Sequence, residues 1–258
     1  MARIRVGLSG WSYSNWRGAF YPPDLPSQRY LEFYAQKFLT TEINSSFYCL
    51  VRPQTYQKWT QLVPQDFVFS VKANRLFTHA RRLQDVEEPW QRFAQDVRAL
   101  GSHLGPILLQ FPQSFKRDEP RLADFLQMAK ASAADLRLVC EFRHESWFTE
   151  ETYRLLHHYG VALCLADSPR YPRRDLLTTN FTYCRLHGRT EIFASSYSVA
   201  ELAYEAQQLL RYRKAGVDVY VYFNNTMHGH ALSNARTLLT LLGGTGRSPR
   251  SKDKKNSK

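Results

Sequence analysis

The chain has 258 residues, of which 43% are hydrophobic, and it carries 35 Lys and Arg against 23 Asp and Glu, a formal net charge of +12. A chain of this length can bury about 70–75% of its unfolded surface, which excludes a mini-protein held by disulfides or metal, and its apolar content excludes a disordered chain up to about residue 242. No stretch reaches the ~18 uncharged apolar residues of a membrane helix, and the N-terminus lacks the apolar core of a signal peptide, so a soluble, cytoplasmic protein with no membrane partner is predicted.

Eight short apolar runs recur along the chain and are predicted to be β-strands. They lie at about residues 4–9, 40–44, 67–72, 105–111, 136–143, 161–167, 181–187 and 218–224. The segments between most of them have helical spacing, and helices are predicted to begin near Pro53, Thr149, Ser198 and Ala231. The sequence therefore alternates strands and helices through most of its length.

This alternation predicts a TIM-like (β/α)8 barrel, formed as a single domain by residues 1–242, because continuous apolar strands separated by helices are typical of a covered parallel sheet. An open doubly wound sheet is the alternative. Such a sheet normally has fewer strands, and it often begins with a G-x-G-x-x-G turn that this sequence lacks. The sixth connection, residues 168–180, contains Pro169 and Pro172 and is too short for a normal crossover helix, so the barrel is predicted to be degenerate there.

Residues 243–258 form a segment of different composition. They contain six Lys and Arg against one Asp, have no apolar periodicity, and supply five of the twelve net positive charges. A disordered basic tail is predicted, and a solubilising extension is its favoured role. The alternative is a tail that binds nucleic acid by neutralising phosphates. Salt-dependent binding to single-stranded nucleic acid that is lost without this segment would support that alternative.

The four cysteines are widely spaced and form no C-x-x-C pair, which favours a reducing compartment over a zinc or redox site. Cys140, Cys164 and Cys184 lie inside apolar runs, where a free cysteine packs as a small hydrophobe. Alternation of side chains along a strand turns Cys140 and Cys184 outward, toward the helices.

Each predicted strand ends in polar or charged residues, and in a (β/α)8 barrel the carboxyl ends of the strands carry the chemistry. Glu42 and Asn44, Glu141 and Arg143, and Arg185 and His187 each share a face because side chains alternate. The candidate site residues are Trp11, Tyr13, Glu42, Asn44, Lys72, Gln110, Glu141, Arg143, His144, Asp167, Arg185, His187, Asn224 and Asn225. A ring of inward charges at one mouth is predicted, with three acidic members (Glu42, Glu141 and Asp167) and three basic ones (Lys72, Arg143 and Arg185). The alternative is a self-neutralised structural network that closes the barrel.

Several motifs resemble the YecE-like family, known as domain of unknown function 72. They are Gly10-Trp11-Ser12-Tyr13 with Trp16, Phe20-Tyr21-Pro22, Glu42 to Tyr48, Phe69 to Lys72 with Thr78-His79, Gln110-Phe111-Pro112, Glu141 to His144 with Trp147, Arg185 to Gly188, and Tyr222 to Asn225. The similarity extends from about residue 4 to residue 242. The resemblance implies a TIM-like barrel with a pocket at the strand ends, and it supplies no reaction.

The leading hypothesis is an enzyme (a hydrolase, lyase or isomerase) that acts on a small phosphate- or carboxylate-bearing substrate. Lys72, Arg143 and Arg185 would bind the anion. The catalytic groups would be Glu42, Glu141, His187 and Asp167, acting as acids and bases. Asn44, Gln110, His144, Asn224 and Asn225 would contact the substrate.

Three other functions stay open. A divalent metal could use Glu42, Glu141, Asp167, His144 and His187 as mixed ligands, although three cations at the same mouth disfavour it. Trp11 and Tyr13 would stack on a sugar or nucleobase, or else they would cover the core. Stacking aromatics together with a positively charged body are typical of a nucleic-acid-binding or nucleic-acid-processing protein, which is the second alternative. A barrel that binds a ligand without catalysis is the third alternative.

Overall fold

Eight parallel strands close into a barrel in the computed structural model, which describes residues 1–243. The strands are β1 (Ile4–Ser9), β2 (Thr40–Ile43), β3 (Val68–Lys72), β4 (Leu104–Gln110), β5 (Leu138–Glu141), β6 (Ala162–Asp167), β7 (Phe181–Leu186) and β8 (Asp218–Phe223). They pair in chain order, and β8 closes on β1 through a register that places Ile4 opposite Val219 and Leu8 opposite Phe223. The predicted (β/α)8 fold and all eight strands are therefore confirmed.

Helices cover the outside of the barrel, except for one four-residue helix that follows β2 at the carboxyl ends of the strands. They are α1 (Tyr30–Ala35), α2 (Ser45–Tyr48), α3 (Pro53–Thr60), α4 (Glu87–Val97), α5 (Glu119–Ser132), α6 (Glu150–His158), α7 (Val199–Lys214) and α8 (His230–Leu241). Ser198 and Glu201 form the complete capping box that starts α7, and Thr149 accepts a hydrogen bond from the backbone of Thr152 to start α6. The predicted helix starts are confirmed, with α8 beginning one residue before Ala231.

The sixth connection contains no helix between β6 and β7, as predicted. An ion pair fastens it to the helical layer instead. Arg173 donates two hydrogen bonds, of 2.7 and 2.9 Å, to the carboxylate of Glu205 on α7. Glu205 is buried, so this bidentate pair takes the place of the apolar packing that a crossover helix would supply.

Two apolar clusters result from the alternation of side chains. The larger lies between the barrel and the helices and includes Cys140 and Cys184, which confirms their outward orientation. The smaller fills the barrel interior and includes Cys164 with Tyr183 and Tyr222. All four cysteines are free thiols.

A tyrosine layer separates the two ends of the barrel interior. The hydroxyl of Tyr222 lies 2.7 Å from both Thr40 Oγ1 and Ser70 Oγ, and Tyr183 packs against it with a ring-centroid distance of 5.0 Å. Phe181 and Tyr220 lie below these two rings in the same cluster. The interior is thus a packed core with a polar level above it.

None of the helices in residues 1–243 combines the length and apolar character needed to cross a membrane. The predicted basic tail lies outside the described residues from residue 244 onward.

Candidate functional site

A pocket of about 590 Å³ opens at the carboxyl ends of the strands, where the sequence places the candidate residues. Its lining residues are Tyr13, Asn44, Phe47, Tyr48, Lys72, Arg75, His79, Gln110, Arg143, Arg185, Phe193, Asn224 and Thr226. Seven of these belong to the predicted set: Tyr13, Asn44, Lys72, Gln110, Arg143, Arg185 and Asn224. The volume falls within the range of about 300–1,000 Å³ that is usual for small-molecule sites.

The floor of the pocket is a network of two carboxylates and two guanidiniums, which we call the carboxylate–arginine floor: Glu42, Glu141, Arg143 and Arg185. Arg185 donates to both oxygens of Glu42, at 3.0 and 2.8 Å, and to Glu141 at 2.6 Å. Arg143 donates to the other oxygen of Glu141 at 2.8 Å. Tyr183 reaches up from the tyrosine layer and donates its hydroxyl proton to Glu42 at 2.6 Å. Both carboxylates are fully buried, and every one of their oxygens accepts at least one of these hydrogen bonds.

Electrostatics fix the charges of this floor. Burial by itself would raise the pKa of Glu141, but Arg185 and Arg143 outweigh it and hold that pKa well below the ordinary range. Burial likewise opposes the charge of Arg185, yet Glu141 and Glu42 raise its pKa well above the ordinary value. Glu141 and Arg185 are therefore charged at neutral pH, and each depends on its partners to remain buried.

His187 is buried beside the floor as a neutral imidazole. The side-chain amide of Asn224 lies 3.0 Å from its Nδ1. The Nε2 atom of His187 lies 3.7 Å from Glu141. Burial, followed by the charge of Arg185, lowers the pKa of His187 well below its usual value. His187 is therefore uncharged at neutral pH.

Lys72 differs from the other charged residues of the ring because it has no carboxylate partner. Lys72 is 9% exposed and lines the pocket, and its Nζ lies 3.9 Å from the centroid of the Phe47 ring. Among residues 1–243 no hydrogen bond or ion pair engages this amine. Burial first, and then the nearby Arg185, lower the pKa of Lys72 to about 7. Lys72 is therefore divided between ammonium and free amine at neutral pH.

The loop after β3 adds two further nitrogen groups to the rim. A single π-helical turn, Leu76–Ala80, carries His79, whose ring packs edge-on against Phe47 at 5.0 Å. Burial and the charge of Lys72 lower the pKa of His79 to about 4, so it is neutral at pH 7. Arg75 stands exposed just before this turn and lines the pocket. Sequence reasoning missed both as site residues, and the only signal for His79 was its place in a family motif.

Asp167 does not belong to the ring, so its predicted inward orientation is wrong. Cys164 and Ala166 fill the barrel interior, and strand alternation turns Asp167 to the opposite face. There it lies 3.3 Å from Arg189 and 3.5 Å from Arg173, close to the ion pair that fastens the sixth connection.

Three other predicted residues lie outside the pocket lining, each occupied by a structural contact. His144 accepts a hydrogen bond from the backbone of Ser146 and caps a short turn. Asn225 donates to Asn234 of α8 and to the backbone of Ser195. Trp11 packs against Trp59 of α3 at 5.1 Å, on the outer side of the barrel.

The loop after β7 supplies a wall that sequence reasoning missed. Gly188 begins it with a φ of 99°, and a Cβ there would lie 2.5 Å from the backbone oxygen of Glu191. Phe193 lines the pocket and adopts a φ of 65°, a left-handed conformation that is uncommon for a bulky residue. Strain of this kind concentrates at functional sites. Nothing in the local sequence marks Phe193 as the residue that adopts this conformation.

The ligands of the metal alternative are not gathered in one place. Residues 1–243 contain no group of three or more His, Cys, Asp or Glu side chains arranged to hold a metal ion. Asp167 and His144 lie away from the floor, and Arg185 and Arg143 already occupy the oxygens of Glu42 and Glu141.

Comparisons with known proteins find relatives that are similar in sequence and a solved structure that is similar in fold. The family model described as "Protein of unknown function DUF72" matches residues 5–257. The UPF0759 protein YunF of Bacillus subtilis is 28% identical over 270 residues, covering 93% of this chain and 94% of that protein. The UPF0759 protein YecE of Escherichia coli is 28% identical over 171 residues, which cover 64% of this chain and 59% of YecE. The crystal structure of a DUF72 family protein from Thermotoga maritima superposes with a TM-score of 0.84 at 30% identity, covering 93% and 99% of the two chains.

Proposed function

The chain belongs to the DUF72 family of proteins of unknown function, as its motifs suggested, and we propose that it is an enzyme that binds a small anionic molecule in the barrel pocket and transfers protons through Lys72. The observation that carries the proposal is the charge of the pocket wall. Of its thirteen lining residues, Lys72, Arg75, Arg143 and Arg185 are basic and none is acidic. A phosphate or carboxylate group is the natural ligand of such a surface.

The carboxylates below do not cancel this positive surface. Glu42 and Glu141 supply two negative charges, against four positive charges when Lys72 is protonated. Arg185 is fully engaged by the two carboxylates, whereas Arg75 has no partner among the described residues and Arg143 uses only part of its guanidinium on Glu141. The excess charge therefore faces the cavity, where water is partly excluded and an anion gains most from it.

Lys72 is better suited to proton transfer than the carboxylates that the sequence suggested. Glu141 is held ionised by two guanidiniums, and Glu42 accepts from Arg185 and Tyr183, so both act by fixing Arg185 in place. The amine of Lys72, with a pKa of about 7, both accepts and releases a proton near neutral pH. A barrel that binds ligands without catalysis would need the cations but not this buried, partnerless amine.

Uncharged groups complete the recognition surface. Asn44, Gln110 and Asn224 present amides along the same wall, and they suit hydroxyl or carbonyl oxygens of the ligand. The ring of Phe47 and the exposed ring of Tyr48 offer an apolar face for its carbon atoms. The chemistry of the pocket therefore fits a short oxygenated carbon chain that ends in an anion.

Isothermal titration calorimetry with inorganic phosphate tests the anion site. We expect Arg75→Gln to weaken phosphate binding about fivefold, because one exposed charge contact contributes ~1 kcal/mol. Arg81→Gln is the matched control, since Arg81 is exposed on the same loop but does not line the pocket. Absence of phosphate binding to the wild-type protein, or equal weakening in the two variants, would contradict the proposal.

A further inference from the structure

We propose that Lys72 is a nucleophile that forms an imine with the aldehyde or ketone group of a small phosphate- or carboxylate-bearing substrate. The inference rests on the proposed anion pocket and specifies the substrate class and the covalent step. The location of Lys72 carries the inference. It is the last residue of β3, at the end of the barrel that holds the pocket.

The surroundings of the amine suit nucleophilic attack. A lysine that serves only as a counter-ion would be expected to pair with a carboxylate, yet the two carboxylates of the floor bind Arg185 and Arg143 instead. Nζ lies over the face of Phe47, so one side is apolar and the cavity lies before it. Burial that lowers the pKa of Lys72 to about 7 leaves a large share of the amine unprotonated at neutral pH, which is the nucleophilic form.

The anion-binding groups would hold the carbonyl compound by its far end. Arg75 and Arg143 line the same cavity as Lys72 and would bind the phosphate or carboxylate. The amides of Gln110 and Asn224 would then contact oxygens nearer the carbonyl. Holding both ends turns the addition into an effectively intramolecular step.

The covalent step balances without another reactant. The nitrogen lone pair of Lys72 attacks the carbonyl carbon, a C–N bond forms, and the π electrons of the carbonyl move to its oxygen. One N–H proton passes to that oxygen and gives a carbinolamine. The C–O bond then breaks, the nitrogen lone pair forms the C=N bond, and the hydroxyl leaves as water with the second N–H proton. Protonation of the imine gives an iminium ion, which accepts electrons from a neighbouring C–H or C–C bond. This chemistry is that of a lyase or an isomerase rather than a hydrolase.

Reductive trapping in the full-length protein tests the inference. The protein is incubated with sodium cyanoborohydride and one of three probes: dihydroxyacetone phosphate, pyruvate or uncharged dihydroxyacetone. Peptide mass spectrometry then locates the reduced adduct. Lys72→Arg keeps the charge and removes the nucleophile, and Lys72→Met provides a second variant if the arginine does not fit. Lys214→Arg is the control, because Lys214 is exposed at the end of α7, at the opposite end of the barrel.

The expected result is an adduct on Lys72 with a charged probe, at least tenfold above that on any other lysine and above that with dihydroxyacetone. Both Lys72 variants should lose it, and Lys214→Arg should keep it. The stronger of the two charged probes identifies phosphate or carboxylate as the anion. Phosphate binding by calorimetry without a selective Lys72 adduct would overturn the inference and leave the anion site standing. Loss of both signals would overturn the anion site as well.

Discussion

Replacing Lys72 with methionine should make the protein more stable at neutral pH. Methionine has a similar length and remains uncharged in the buried position, whereas the lysine loses hydration there without gaining a carboxylate partner. We therefore expect the free energy of unfolding of Lys72→Met to exceed that of the wild type at pH 7.

The pKa of Lys72 sets the size of the effect. Its ordinary value of 10.5 applies to the unfolded chain, and the folded value is about 7. At pH values between about 7 and 10.5 the lysine is more protonated in the unfolded chain than in the folded chain. The contribution of Lys72 to the wild-type free energy of unfolding therefore rises with pH in this window. Each pH unit inside the window adds up to about 1.4 kcal/mol, and from pH 7 to pH 9 the sum is about 2 kcal/mol, since the amine is already half-deprotonated at pH 7.

Urea denaturation of both proteins between pH 6.5 and pH 9 measures the effect. Subtracting the two curves removes the titration of cysteines and other groups that the proteins share. The stability advantage of Lys72→Met should shrink by about 2 kcal/mol from pH 7 to pH 9, and Lys214→Met should show no such trend. An advantage that stays constant across this range would refute the desolvated, partnerless amine, and with it the reasoning behind the proposed chemistry.

Two further predictions concern the ion networks. Glu141→Gln removes a carboxylate that Arg185 and Arg143 share, and urea denaturation should show a free energy of unfolding lower by about 3–5 kcal/mol. Glu32→Gln is the exposed control and should change it by under ~1 kcal/mol. Arg173→Ala removes the bidentate partner of the buried Glu205 carboxylate and leaves it only the 3.2 Å hydrogen bond from Arg189, so it should cost about 2 kcal/mol. Arg174→Ala, whose ion pair is exposed, should have a negligible effect. Equal effects within either pair would contradict the assignment of buried ion pairs.

The sequence predicts the strands well because each is a continuous apolar run, and parity along a strand correctly orients Cys140, Cys184, Glu141 and Arg143. The same parity turns Asp167 outward once Cys164 and Ala166 are placed inside the barrel.

Other features depend on closure of the barrel. Arg185 meets Glu42 across 143 positions of the chain, so their pairing becomes visible only in three dimensions. The two carboxylates pair with Arg185 and Arg143, so Lys72 has no ion-pair partner among the described residues. Counting the charges at the strand ends does not reveal this. The left-handed backbone of Phe193 has no local signature in the sequence either.

The tyrosine layer has a consequence for how protons travel. Tyr183 and Tyr222 close the barrel beneath Glu42, and burial raises their pKa, so both hydroxyls stay protonated at physiological pH. Beneath them Phe181 and Tyr220 continue the packed core. In the part of the chain that the structure describes, these packed rings lie between the pocket and the far end of the barrel. Protons and water therefore reach the pocket from solvent through its mouth. The loops that carry Tyr48, His79 and Phe193 line this mouth, so they border the route between the pocket and solvent.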